Sequence, residues 1–158
     1  MSPPPNGLYR LRYLPDPDER GVGGLYATQV QGRDKPINAA PGEPSLQGQQ
    51  NWEVRQVGGD EVHILYAPQA PEGGIGGIGF SYSEDRPGAP IVLSFVKNVR
   101  AEELGQDTWR LRPVGGLLGV DAVIGLNEER HDETLVINAY PLAPVPRPAW
   151  QLEPVHRD

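Results

Sequence analysis

Three tryptophans, each opening the same short pattern, constrain the fold of this sequence more than any other feature. In each pattern an aliphatic residue follows two positions after Trp and Val follows five positions after it. The three segments are Trp52–Val57, Trp109–Val114 and Trp150–Val155. Trp and the aliphatic residue alternate with charged or amide residues, which is the period of a half-buried β-strand. The tryptophans are 57 and 41 residues apart, so the pattern predicts a threefold repeat of roughly 50 residues.

Further alternating runs complete the predicted repeats. We expect each repeat to begin with one such run: Leu8–Tyr13, Val62–Tyr66 and Val120–Ile124. Other strand candidates are Leu25–Val30, Gly79–Tyr82, Ile91–Val96 and Thr134–Ala139. The 158 residues include 20 Gly and 18 Pro, which disfavour long helices and suit short strands joined by turns. Only Val99–Leu104 has the character of a helical turn.

Three repeats of about four strands each predict an all-β fold, the β-trefoil, in which a six-stranded barrel is capped by three hairpins. The alternative is a β-sandwich in which three strands are similar by coincidence. The length indicates one domain over residues 1–158, in which residues 1–6 form a loosely ordered tail.

Charge and composition argue against several classes of function. The net charge is −7 and the basic residues are scattered, so we expect no nucleic-acid partner. No apolar run reaches the roughly 18 residues of a membrane span, and no signal peptide opens the sequence. We therefore expect no membrane association and a cytoplasmic location. The absence of Cys excludes disulfides and thiol chemistry.

The sequence predicts neither a catalytic site nor a metal or cofactor site. His63, His131 and His156 lack the spacing of metal ligands. The glycine run Gly73–Gly79 lacks the Gly-Lys-Ser/Thr of a phosphate loop and the helix of a dinucleotide site. We therefore expect that the protein is not an enzyme.

Two connections are long enough to carry function. The first, Pro15–Gly24, has prolines at one end and three glycines at the other, and the second, Pro41–Gly48, is also stiffened by proline. Each would also suit an ordinary surface connection, but structureless connections of this length are more often functional than short ones.

Short segments along nearly the whole chain resemble one family. They are Tyr9–Arg12, Pro15–Pro17, Gly21–Gly24, Tyr26–Thr28, Gln49–Trp52, Gly79–Tyr82, Ala89–Pro90, Gly119–Asp121 and Arg147–Trp150. In order and spacing they resemble the mycocypins, the mushroom inhibitors of cysteine proteases, and within these the clitocypins more than the macrocypins. The fold known for that family is the β-trefoil, in agreement with the repeats.

The resemblance implies a reversible, tight-binding and non-covalent inhibitor of papain-like cysteine proteases, which we expect to be a monomer. In mycocypins two loops enter the protease cleft from both sides and cover the catalytic cysteine. Carried over by position, the first loop comprises Pro17, Asp18, Glu19, Arg20, Gly21, Val22, Gly23 and Gly24, and the second comprises Pro41, Gly42, Glu43, Pro44 and Ser45. On this basis Gly24→Arg should abolish inhibition and leave folding nearly unchanged.

The sequence departs from the family pattern at two places. Asp18–Arg20 is inserted in the first loop and should alter which proteases fit. The family's legumain-binding loop corresponds to Ala67–Gly77, which contains Gln69 but no Asn, Lys or Arg. We therefore expect neither legumain nor trypsin inhibition from that loop.

Three other functions stay open from sequence. Gln50-x-Trp52 matches the core signature of one class of trefoil lectin, so a carbohydrate-binding lectin is one alternative. The others are an inhibitor of aspartic or serine proteases through different loops, and a storage protein without a partner.

Overall fold

The computed structural model describes residues 3–15, 24–42, 48–67, 77–83, 86–105, 107–115, 120–127 and 133–155. These residues form twelve strands: β1 (Gly7–Leu14), β2 (Leu25–Thr28), β3 (Asn38–Pro41), β4 (Trp52–Gly58), β5 (Glu61–Tyr66), β6 (Ile78–Ser81), β7 (Val92–Phe95), β8 (Val99–Gly105), β9 (Thr108–Pro113), β10 (Val120–Leu126), β11 (Leu135–Pro141) and β12 (Ala149–Pro154). Within the described ranges, no helix is long and apolar enough to cross a membrane.

Six of the strands close into a barrel. β1 pairs with β4, β4 with β5, β5 with β8, β8 with β9, β9 with β12, and β12 returns to β1, all antiparallel. The other six form three hairpins, β2–β3, β6–β7 and β10–β11. Closure leaves these barrel strands without the unpaired edges that invite aggregation.

A ring of three hydrogen bonds joins the hairpins. The backbone N–H of Ile37 donates to the carbonyl of Ile91, Ile91 donates to Leu135, and Leu135 donates back to Ile37, each at 2.9 Å. All three residues are almost fully buried. The ring relates the three repeats by a pseudo-threefold axis, and the predicted β-trefoil is confirmed.

The structure corrects the equivalence of the three tryptophans. Trp52 in β4 and Trp150 in β12 are equivalent, and their indole N–H groups donate to the carbonyls of Ala27 and Ile124 at 2.9 and 3.0 Å. Trp109 instead lies in β9, the first strand of the third repeat. The prediction that it repeats Trp52 was wrong, because the first and fourth strands of every repeat both place alternate residues inside the barrel.

The position equivalent to Trp52 in the second repeat is Val99, since the pairs Trp52–Tyr66 and Val99–Pro113 occupy the same register. The hairpin of the same repeat, β6–β7, carries a larger buried residue than its equivalents. Where the first and third repeats have Ala27 and Ile124, the second has Phe80, whose ring lies 5.0 Å from that of Trp52, edge to face. Side-chain volume is thus redistributed between strands while the core stays filled, as close packing requires.

Two further expectations were wrong. Val99–Leu104 is part of strand β8 and not a helical turn, because buried Val99 and Ala101 alternate with exposed Arg100. Val120–Ile124 lies in β10, the second strand of its repeat, whereas the repeat begins at β9. β3 was not predicted, since a four-residue strand of Asn, two Ala and Pro carries little strand propensity. The strands predicted within Leu25–Val30, Gly79–Tyr82, Ile91–Val96 and Thr134–Ala139 are confirmed.

Candidate functional site

The two predicted loops leave the fold side by side. Leu25, the first residue of β2, pairs with Pro41, the last residue of β3. The first loop ends at Gly24 and the second begins at Pro41 and Gly42, so the necks of the two loops meet at this pair. Of the predicted site residues, the structure describes Gly24, Pro41 and Gly42. The remainder lie outside the described residues: Pro17, Asp18, Glu19, Arg20, Gly21, Val22 and Gly23 of the first loop, and Glu43, Pro44 and Ser45 of the second.

The neck of the first loop rests on Arg12 of β1. Gly24 has a φ of 115°, a conformation open to glycine and strained for other residues. A methyl group built on Gly24 would lie 2.8 Å from Nε of Arg12, whose Nη1 donates to Oε1 of Gln151 at 3.3 Å. The expectation that Gly24→Arg would leave folding nearly unchanged was therefore wrong, because any side chain at this position is strained and displaces Arg12.

The neck of the second loop rests on Tyr26 of β2. A methyl group built on Gly42 would lie 2.9 Å from Cε1 of the Tyr26 ring. The Tyr26 hydroxyl donates to Oε1 of Glu153 at 3.0 Å, and the Arg10 guanidinium lies 5.7 Å from the ring centroid. Burial and the contact with Glu153 raise the pKa of Tyr26, so its phenol stays a donor at neutral pH.

Gln50 holds the two ends of the second loop together. Its fully buried side chain donates from Nε2 to the carbonyl of Pro41 at 2.9 Å and to Oγ1 of Thr28 at 3.1 Å. Alongside it, the backbone N–H of Gln29 donates to the carbonyl of Gln49 at 2.9 Å. The Gln50–Pro41 bond joins the last residue of β3 to the residue two positions before β4, so it closes the loop at its base.

Sequence reasoning did not identify Arg12, Tyr26 and Gln50 as supports of the loops. A signal for Gln50 was present, because an amide two residues before a buried Trp is a packing motif of this fold. No such signal existed for Arg12 or Tyr26, since both alternate as ordinary strand residues and their role depends on which loop residue lies above them.

Within the described residues, no group of three or more His, Asp or Glu side chains could hold a metal ion. One concavity, of about 490 Å³, is bounded by Asn6, Leu8, Glu53, Arg55 and Val155, at the start of β1, which is the end opposite to the neck of the first loop.

A cluster of ion pairs lies between β9 and β10. Asp121 accepts from Nε and Nη2 of Arg112 at 2.8 and 3.1 Å, and Nε of Arg147 forms an ion pair with its Oδ2 at 2.8 Å. Burial by itself would raise the pKa of Asp121, but the hydrogen bonds from Arg112 and the charges of Arg112 and Arg147 outweigh burial and lower it. Both oxygens of the Asp121 carboxylate are paired with these arginines, so the cluster stabilises the contact between the strands.

Comparison with known proteins places the chain in a family. The sequence model described as "Peptidase inhibitor clitocypin" matches residues 7–152. The chain belongs to the clitocypin family of peptidase inhibitors. Clitocypin-2 of Clitocybe nebularis is 33% identical over 155 residues, covering 92% of this chain and 94% of that protein. Clitocypin of the same organism is 32% identical, covering 92% and 95%.

One solved structure is similar to this chain in fold but not in sequence. The designed threefold symmetric protein ThreeFoil superposes with a TM-score of 0.62 at 13% identity, covering 94% of this chain and 99% of that one. The predicted family is thus confirmed, and it is a family of peptidase inhibitors rather than of enzymes. The legumain prediction rests on Ala67–Gly77, of which residues 68–76, including Gln69, lie outside the described residues.

Proposed function

We propose that this clitocypin-family protein is a reversible, tight-binding, non-covalent inhibitor of papain-like cysteine endopeptidases. Its two loops, Pro17–Gly24 and Pro41–Ser45, would enter the active-site cleft from either side. The observation that carries the proposal is the pairing of Leu25 with Pro41, which sets the necks of both loops next to each other on one hairpin.

Restraint of the loop necks favours tight binding. Gly24 lies against Arg12, Gly42 against Tyr26, and Gln50 closes the base of the second loop. A loop held in place before association loses less entropy when it docks, a saving of about 0.5–1.5 kcal/mol for each immobilised side chain. Most of that gain appears as slower dissociation.

The residue types of the two loops suit an inhibitor that fills the protease cleft without bonding covalently to the catalytic cysteine. Five of the thirteen loop residues carried over from the family are glycine or serine, which let backbone donors and acceptors approach a narrow groove. The chain has no Cys and so cannot form a disulfide with the catalytic cysteine. The complex should therefore contain no disulfide and should dissociate without a reducing agent.

Titration of papain with the purified protein tests the proposal. We expect a stoichiometric, competitive endpoint that reverses on dilution, with uncut inhibitor by mass spectrometry. In the first loop, Val22→Arg introduces a long charged side chain and should weaken inhibition by at least about 30-fold, the loss of one strong interface residue.

A matched control is Val30→Arg. Val30 is 55% exposed and lies outside both loops, so the same substitution there should leave papain inhibition unchanged. Absence of inhibition by the wild-type protein at micromolar concentration would refute the proposed function. Equal inhibition by the Val22→Arg and Val30→Arg proteins would show that the first loop is not the binding element.

A further inference from the structure

An exposed connection of the third repeat is separate from the two loops. Residues Leu142–Pro148 connect β11 to β12 and, by the pseudo-threefold axis, correspond to the β3–β4 connection that contains the second loop. Leu142 is 71% exposed, the highest value for any large apolar residue that the structure describes, and Val145 is 36% exposed. A single exposed apolar side chain is ordinary on a protein surface, so what distinguishes Leu142 is the restraint of the backbone that carries it.

Prolines restrict the backbone of this segment. Pro141, Pro144, Pro146 and Pro148 have a fixed φ, and each residue before a proline is confined to extended conformations. Between residues 140 and 148, Leu142 is the one residue that is neither a proline nor followed by one. The N–H of Val145 also donates to the carbonyl of Ala143 at 2.8 Å, which fixes the turn after Leu142.

The side chain of Arg147 holds the backbone on both sides of Leu142. Its Nη2 donates to the carbonyl of Pro141 at 2.7 Å and to that of Ala143 at 3.1 Å. The same guanidinium is held by Asp121, which is itself held by Arg112 of β9. Because the Arg147 side chain is only 15% exposed, the barrel fixes the backbone on either side of Leu142 and leaves its side chain outside.

We propose that the β11–β12 segment is a second inhibitory loop, directed at serine endopeptidases with an apolar primary pocket, and that Leu142 enters that pocket. Serine endopeptidases of the chymotrypsin class select substrates through one side chain that fills a hydrophobic slot beside the catalytic serine. A single exposed Leu on a restrained backbone, between Pro141 and the small Ala143, has the shape that such a slot accepts. The restraint lowers the entropy lost on docking.

The anchoring also disfavours the other common partner of proline-rich segments, a domain with an aromatic groove for polyproline helices. That recognition needs a continuous threefold helix open to the partner. Here the turn from Ala143 to Val145 interrupts such a helix, and Arg147 is turned inward. A peptidase cleft needs only the few residues around Leu142.

This inference is independent of papain inhibition. The β3–β4 and β11–β12 connections belong to different repeats, about a third of a turn apart around the axis. The proposed loops therefore do not share residues, and each activity can be removed without the other.

The test is inhibition of chymotrypsin, pancreatic elastase and trypsin by the wild-type protein and by Leu142→Arg, with papain assayed in parallel. The wild-type protein should inhibit chymotrypsin or elastase and not trypsin. Because trypsin's primary pocket contains a carboxylate, Leu142→Arg should lose at least about 30-fold against the apolar enzymes and gain trypsin inhibition. Papain inhibition should be the same for both proteins.

Leu104→Arg is the matched control. Leu104 is an exposed leucine of β8, outside this segment, and its substitution should change none of the four activities. If the wild-type and Leu142→Arg proteins leave all three serine enzymes active, or are merely cut after residue 142, the inference is wrong even when papain is inhibited. If instead the wild-type protein inhibits chymotrypsin or elastase but not papain, the proposed function is refuted and the inference stands.

Discussion

The contact between Gly42 and Tyr26 makes a sharp prediction about the neck of the second loop. Gly42→Ala places a methyl carbon 2.9 Å from Cε1 and 3.2 Å from Cδ1 of the Tyr26 ring, whereas carbon atoms in good contact are about 3.5–4.0 Å apart. The φ of Gly42 is outside the left-handed region, so the substitution tests this contact and not backbone strain.

The ring must move by roughly half an ångström or more to reach a normal separation. It is held by the hydrogen bond from its hydroxyl to Glu153, at 3.0 Å, and by Arg10 beside its face. Overpacking of this kind costs about 1–3 kcal/mol. For a domain of this size that corresponds to a fall in melting temperature of about 2–4 °C for each kcal/mol.

Urea denaturation of Gly42→Ala and Gly48→Ala measures the difference. No atom of the described residues lies within 4 Å of a methyl group on Gly48, at the other end of the same loop, and the φ of Gly48 is also outside the left-handed region. Gly48→Ala should therefore change the free energy of unfolding by less than about 0.5 kcal/mol. In a Tyr26→Ala background the cost of Gly42→Ala should largely disappear. If that cost persists without the Tyr26 ring, or if both alanine variants are equally stable, the reasoning about the neck is wrong.

Three other predictions concern the barrel and its charges. Trp52→Phe and Trp150→Phe should each destabilise the protein by about 1–3 kcal/mol, because the carbonyls of Ala27 and Ile124 lose a buried donor. Similar losses of stability in thermal unfolding would support the equivalence of the two sites. No loss at either site would contradict it. Val99→Trp alone should destabilise the protein through overpacking. Adding Phe80→Ala should recover part of that loss, because the pair would then match Trp52 and Ala27. If the changes in unfolding free energy of the two substitutions are simply additive, residues 80 and 99 do not share one space in the core. The lowered pKa of Asp121 means that its ion pairs stabilise the folded state above its unfolded pKa, near 3.9, and that this stability is lost as the pH falls through the folded value. Asp121→Asn should therefore be less stable than wild type by about 1.5–3 kcal/mol at pH 7, with a difference that shrinks in acid; a constant difference across the pH range would exclude this origin.

The placement of functional residues was only partly accessible from sequence. The two loops came from the family resemblance, and their sequence composition alone also suited ordinary connections. Gly24 and Gly42 meet at the Leu25–Pro41 pair because of the antiparallel register of β2 and β3. This register could not be predicted, since β3 has only four residues and two of them are alanine. The hydrogen bonds of Arg147 to the carbonyls of Pro141, at the end of β11, and of Ala143, in its own connection, likewise could not be predicted from the proline-rich sequence.

What the sequence determined by itself was the class of fold. Alternation of apolar and polar residues, three related segments and frequent Gly and Pro are local properties, and they were enough to predict a β-trefoil of about 50-residue repeats. Which residues are equivalent was decided only by tertiary structure. Trp109 alternates just as Trp52 does, yet it belongs to a first strand, and Val99 occupies the third tryptophan position. The physical reason is that the core requires a total volume and not a particular residue, so Phe80 on a hairpin can replace an indole on a barrel strand.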